Sequence, residues 1–138
     1  MDSMALKQFF TALVFFSLVD FLWIGLIANR FYLRQFGDLA RQHDGKFAVV
    51  YWAAVGVYLL LALATTKLAL PLAAEGGVGA SFLYGALVGF CVYGVYDLTN
   101  HATLRRWPIA LLATDMAWGT FLCGAVSAAT MWISLKFY

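Results

Sequence analysis

Three acids lie where a chain this apolar has least room for them: Asp20, Asp97 and Asp115. Tyr93, Tyr96, Asp97, Asn100 and His101 recur at helical spacing, so they form one face of a helix. That face offers two phenols, an acid, an amide and an imidazole. Two carboxyls in unlike surroundings can work as general acid and base. A carboxyl taken out of water can also exchange a proton for a ligand. Trp23 and Trp118 each follow an aspartate by three residues, and with Tyr93 and Tyr96 they would line a cavity of aromatic faces. The expected ligand-binding set is therefore Asp20, Trp23, Tyr93, Tyr96, Asp97, Asn100, Asp115 and Trp118. Asp97, Asp115 and Asp20 are the candidates for any catalysis.

The competing reading is structural. Acids and amides in membrane spans also serve as hydrogen-bonding glue between helices. Under that reading the tryptophans fill the core with their N–H groups on carboxylates, and His101 is solvated at the interface. A metal site would need more than one histidine beside Asp97, and no H-x-x-x-H or E-x-x-H element is present. No metal and no cofactor is expected. Cys91 and Cys123 sit in apolar runs without C-x-x-C spacing, as small core residues do.

These groups need elements to hold them. The 138 residues are 64% hydrophobic and 12% charged, half the charge of a soluble domain at about 25%. Too little polar surface remains to cover a water-soluble particle. The fold class is therefore an all-α integral membrane protein, and residues 1–138 form a single domain. Four segments reach the roughly 20 apolar residues a crossing requires. They run from about Gln8 to Asn29, Phe47 to Leu70, Ala80 to His101 and Pro108 to Ser134. The first is too long for the apolar core of a signal peptide, about 7–15 residues, and is read as retained. Pro71 should end the second span, and Pro108 should open the fourth from its first turn. Gly85, Gly89 and Gly94 should let helices approach closely.

The first loop, Arg30 to Lys46, mixes Phe31, Tyr32, Phe36 and Leu39 with arginines, which suits a short amphipathic helix at the interface. Asp44-Gly45 then marks a turn. Trp52, Trp107 and Trp132 fall near span ends, where interfacial belts form. The first and third loops carry Arg30, Arg34, Arg41, Lys46, Arg105 and Arg106, against Lys7, Lys67 and Lys136 on the other side. That bias places those loops in the cytoplasm and both termini outside. At 1.5 Å per residue, Asp20 lies roughly 15 Å from Arg30, Asp97 roughly 12 Å from Arg105, and Asp115 roughly 10 Å from Pro108. All three acids thus belong to the cytoplasmic half and are expected to converge on one cavity open to that side.

The same residues carry a resemblance. Asp20-Phe-Leu-Trp23-Ile-Gly25, Tyr96-Asp97-Leu98-Thr99-Asn100 with Ala102-Thr103-Leu104 and Trp107-Pro108, and Asp115-Met-Ala-Trp118-Gly119 resemble the motifs of a family of small bacterial membrane proteins. That family is classed as a domain of unknown function. The likeness spans nearly the whole chain. It implies a four-span protein of the bacterial inner membrane and no particular activity. His101 stands where an apolar residue is common in the family, so the resemblance does not carry it as a shared catalytic group.

Three functions follow as expectations. The first is a membrane-embedded binding or transport protein for a lipid or amphipathic small molecule. The second is an intramembrane enzyme modifying a lipid or isoprenoid by aspartate acid–base chemistry, with Asn100 or Tyr96 holding the polar head. The third is a non-catalytic assembly subunit. The partners would be the bilayer, that lipid or small molecule and, in an oligomer, a second copy. No basic block suggests nucleic acid.

Overall fold

In hydrocarbon every backbone polar group must be satisfied within the chain, which leaves long helices as the economical solution. The computed structural model describes residues 3–138 and contains four helices long and apolar enough to cross a membrane. They are Ser3–Ile27, Tyr51–Leu72, Gly77–Thr103 and Ile109–Phe137, called here spans one to four. The chain is an all-α membrane bundle, and its only strands among the described residues are two residues long. Hydroxyls on the spans turn back onto carbonyls four residues earlier, as Ser17 does to Leu13 and Thr130 to Val126. This is how a serine or threonine is satisfied in a helix without water.

Two spans contain a wide π turn, Trp23–Ile27 in span one and Thr65–Ala69 in span two. The second lies just before Pro71. Proline has no N–H to give the Lys67 carbonyl, and its ring crowds that carbonyl. The wide turn absorbs the conflict, so span two runs on through Pro71 to Leu72 instead of stopping. Span two also starts later than its apolar run suggests. Phe47 belongs to a small hairpin in which Gln42 pairs Phe47 and His43 pairs Lys46. Asp44 and Gly45 form the turn with positive φ at both, the hairpin geometry that Asp-Gly favours. Pro108 caps span four from an extended backbone, and the helix begins at Ile109. Its fixed φ suits either place, but the preceding turn needs it extended.

The expected loop helix is present as Asn29–Phe36. It buries Tyr32 with Ala28, Trp107 and Leu111 in a cluster at the loop end of the bundle. The Arg106 guanidinium donates to Asp38 Oδ2 at 3.0 Å, tying loop three to loop one on the same side. The main core lies deeper, where Ala12 and Phe16 meet Leu61, Ala62, Leu122, Cys123 and Val126. A third cluster at the far end joins Leu70, Ala73 and Met131.

Spans three and four are the most closely apposed pair. A Cβ on Gly89 would strike the Gly119 carbonyl and Cys123, and one on Gly85 would strike Ser127 and the Cys123 carbonyl. Gly119 is covered by the Tyr93 ring. Gly94 plays a lesser part, since a Cβ there would meet only Met116 Cε, 3.1 Å away. Gly56 on span two faces open space. Gly89→Ala should therefore lower stability by about 1–3 kcal/mol, the usual cost of overpacking. Gly56→Ala, a better helix former with room for its methyl, should not lower it. Thermal unfolding of the two variants in one detergent makes the comparison, and equal melting temperatures would refute the close-packing account.

Candidate functional site

The structure places the three acids of the spans in one connected network of aromatic donors. Asp20, buried on span one, accepts from two sides. Tyr58 Oη donates to its Oδ2 at 3.0 Å, and Trp118 Nε1 donates to its Oδ1 at 3.0 Å. Both carboxyl oxygens are thus capped, and spans one, two and four are bound through one group. The Trp118 ring lies on that of Trp23, centroids 4.3 Å apart and planes within 10°. The π turn begins at Trp23, so the local widening sits where that ring must lie flat on Trp118.

Trp23 passes the network onward through its own N–H. Its Nε1 donates to Tyr32 Oη at 3.3 Å, and Tyr32 Oη donates to Asp115 Oδ1 at 2.7 Å. Tyr32 therefore reaches from the loop helix into the bundle. Burial first, and the Asp115 carboxyl second, push its phenol well above its ordinary value near 10.

Asp97 is wholly buried on span three. Trp107 Nε1 donates to its Oδ1 at 3.0 Å. Trp107 is not an interfacial belt residue as its position near a span end suggests. It folds inward, 6% exposed, and places its indole N–H on the Asp97 carboxyl. Trp52 and Trp132, at 81% and 51% exposure, remain outside. The second oxygen of Asp97, Oδ2, has no hydrogen-bond partner among the described residues. The Asp115 carboxyl stands beside Asp97, within side-chain interaction range. The two carboxyls stand side by side, and a hydrogen bond between them requires that one carry the proton.

The other expected residues are placed less centrally. Tyr93 packs against Gly119 and the main core, between spans three and four. Tyr96 is 52% exposed and meets the Trp107 ring edge-on at 5.6 Å, with Asn100 beside it. The helical face from Tyr93 to His101 is therefore only partly turned inward. His101 is exposed, with Nδ1 2.7 Å from the Trp107 carbonyl, where it steadies the turn that carries the indole. No group of three or more His, Cys, Asp or Glu is arranged to hold a metal among the described residues. Two surface grooves, one beside the loop-one hairpin and one between Phe82, Phe90 and Phe121 on spans three and four, are not lined by Asp20, Asp97 or Asp115.

Three contributors escape a reading of spacing alone: Tyr32, Tyr58 and Trp107. Tyr58 did carry a signal, since a phenol well inside an apolar span needs a partner. Trp107 carried one in its Trp-Pro pair. Tyr32 sits among loop aromatics that look alike in sequence.

Comparison with known proteins agrees with this architecture. The chain belongs to the family described as Predicted membrane protein (DUF2177), whose pattern matches residues 5–132. That range takes in all three acids and their donors. Neither a curated protein nor a solved structure matches the chain.

Removing the indole donor with Trp107→Phe should strand the Asp97 carboxyl and cost about 1–3 kcal/mol. Detergent melting measures it, and a variant as stable as wild type would mean the bond contributes nothing. Tyr32 gives a pH signature. Folded, it keeps its proton where an unfolded phenol, near 10, loses it. Its contribution is therefore complete below pH 10 and lost as pH rises beyond, at up to about 1.4 kcal/mol per pH unit. Between pH 10 and 11.5, the stability of Tyr32→Phe should fall less steeply than wild type. Parallel slopes would show that the phenol titrates normally.

Proposed function

We propose that this chain is a membrane-embedded binding or transport protein for a lipid or amphipathic small molecule, with Asp97 and Asp115 as its working pair. The observation that carries the reading is the second oxygen of Asp97, wholly buried and without a donor, beside another carboxyl. Such an arrangement is completed by a proton shared between the acids or by a donor that a ligand brings. Exchange of one for the other is the elementary step of proton-coupled binding. The donors are divided unevenly, and this supports the choice of pair. Asp20 has a donor on each oxygen and serves as interhelical glue, whereas Asp97 and Asp115 each hold one indole or phenol. Tyr96 and Asn100 stand at the loop edge of the pair, where a polar head would pass.

The membrane is taken as the bacterial inner membrane, with the loops that carry Arg30, Arg34, Arg41, Lys46, Arg105 and Arg106 in the cytoplasm, because the basic excess lies there. Both termini then lie outside, and the pair faces the cytoplasmic half.

Native mass spectrometry of protein gently extracted from its own membrane tests the reading, wild type beside Asp97→Asn and Asp115→Asn. A defined lipid or small molecule that accompanies wild type and is lost from both variants is the expected result. A discrete chemical product on incubation with that molecule would turn the assignment toward the enzyme. If wild type carries no specific adduct and the variants change only stability or association, the acids are structural and the proposal fails.

A further inference from the structure

A separate site lies where span one meets the first loop. Gly25, Leu26 and Ile27 from the end of the span, Arg30 from the loop helix, and Asp44 and Lys46 from the hairpin enclose an open groove of about 500 Å³. The groove is held in shape by a bond across it, since Asn29 Nδ2 donates to the Gly45 carbonyl at 3.0 Å. Its two ends differ chemically. Leu26 and Ile27 are 67% and 73% exposed and continue the apolar outer surface of the span. Arg30 and Lys46 supply two cations, and neither makes an ion pair among the described residues. The one acid in the groove, Asp44, lies 3.2 Å from His43 Nε2, which pairs with it as a cation only when the imidazole is protonated.

From this juxtaposition we infer that the groove is a binding site for an anionic phospholipid, its phosphate held by Arg30 and Lys46 and its acyl chain laid along Leu26 and Ile27. A guanidinium forks onto phosphate oxygens and an ammonium adds a point charge. The junction of apolar span and cationic loop matches the level at which a lipid changes from chain to headgroup. A free phosphate would use only the cations and leave the apolar wall idle, so the lipid is the better fit. The wide turn at Trp23–Ile27 contributes the opening, because Gly25 within it presents no side chain to the groove. A Cβ there would touch only the Phe21 ring, at 3.4 Å. Gly25→Leu therefore adds bulk at the groove without altering charge, and its Cβ meets only a ring of its own helix.

The test uses the full chain in nanodiscs of equal anionic and zwitterionic lipid, with the lipids that remain bound after delipidation counted by native mass spectrometry. Wild type should keep anionic lipid selectively. Arg30→Gln with Lys46→Gln should weaken retention about thirtyfold, the effect of two cations at the interface. Gly25→Leu should also release it, although every charge is intact. Arg34→Gln with Arg41→Gln, which removes equal charge outside the groove, should retain it. Equal loss from that control pair would reveal a diffuse field and overturn the site. So would full retention in Gly25→Leu, absence of selectivity in wild type, or displacement of the lipid by millimolar inorganic phosphate, which would mark a soluble-anion site.

Discussion

Asp20 accepts from Tyr58 and Trp118 at once, and the arrangement of the bundle depends on that double capture. A carboxyl in hydrocarbon has no water to turn to, so the chain must bring donors to it. The donors come from spans two and four, which fixes how both meet span one. Once Trp118 is committed to Asp20, its ring face becomes the platform on which Trp23 lies. Once Trp23 lies there, its N–H points to Tyr32, and the loop helix is drawn onto the bundle. Each link determines the next until Tyr32 reaches Asp115.

The same logic meets a limit at spans three and four. Gly85, Gly89 and Gly119 let the two helices close until backbone and side chains touch. That closeness brings Asp97 beside Asp115. Asp97 draws Trp107 in from the turn, and Asp115 draws Tyr32 in from the loop, one donor each. The exposed Arg106–Asp38 pair joins the turn of Trp107 to the segment that follows the loop helix. Nothing further is supplied between the two acids. The network is saturated at Asp20 and one donor short at Asp97.

Much of this was legible in the sequence, for physical reasons. Spans are read from length and apolarity, and all four came through. The boundaries moved where local chemistry competes with hydropathy: the Asp-Gly turn takes Phe47 into a hairpin, and a wide turn carries span two past Pro71. The acids announced themselves because a charge in an apolar run is conspicuous. Their donors did not. Tyrosine and tryptophan fit an apolar span, an interface or a hydrogen bond equally well, and only the third dimension tells which. Trp107 shows this best, since a tryptophan at a span end has the interfacial belt as its default role. Tyr96 shows the converse, since helical spacing puts it on the face of Asp97 while the structure leaves it half exposed.

The charges outside the network bear on what could complete it. All nine Lys and Arg residues lie at loops, termini or span ends, and the ion pairs among the described residues are both in the loops. The acids of the spans therefore have aromatic neighbours and no fixed cation. A fixed cation would neutralise the site permanently, whereas neutral donors leave room for a proton or a ligand to come and go. The cover over Asp97 differs from that over Asp20. Trp107 is carried by the short non-helical turn before span four. Tyr96 lies against it from the exposed side, and His101 Nδ1 meets the Trp107 carbonyl within the turn. Asp20 has no comparable cover, because both of its donors sit within spans. The acid with a donor on each oxygen is thus held by the spans themselves, and Asp97 by a residue of the turn.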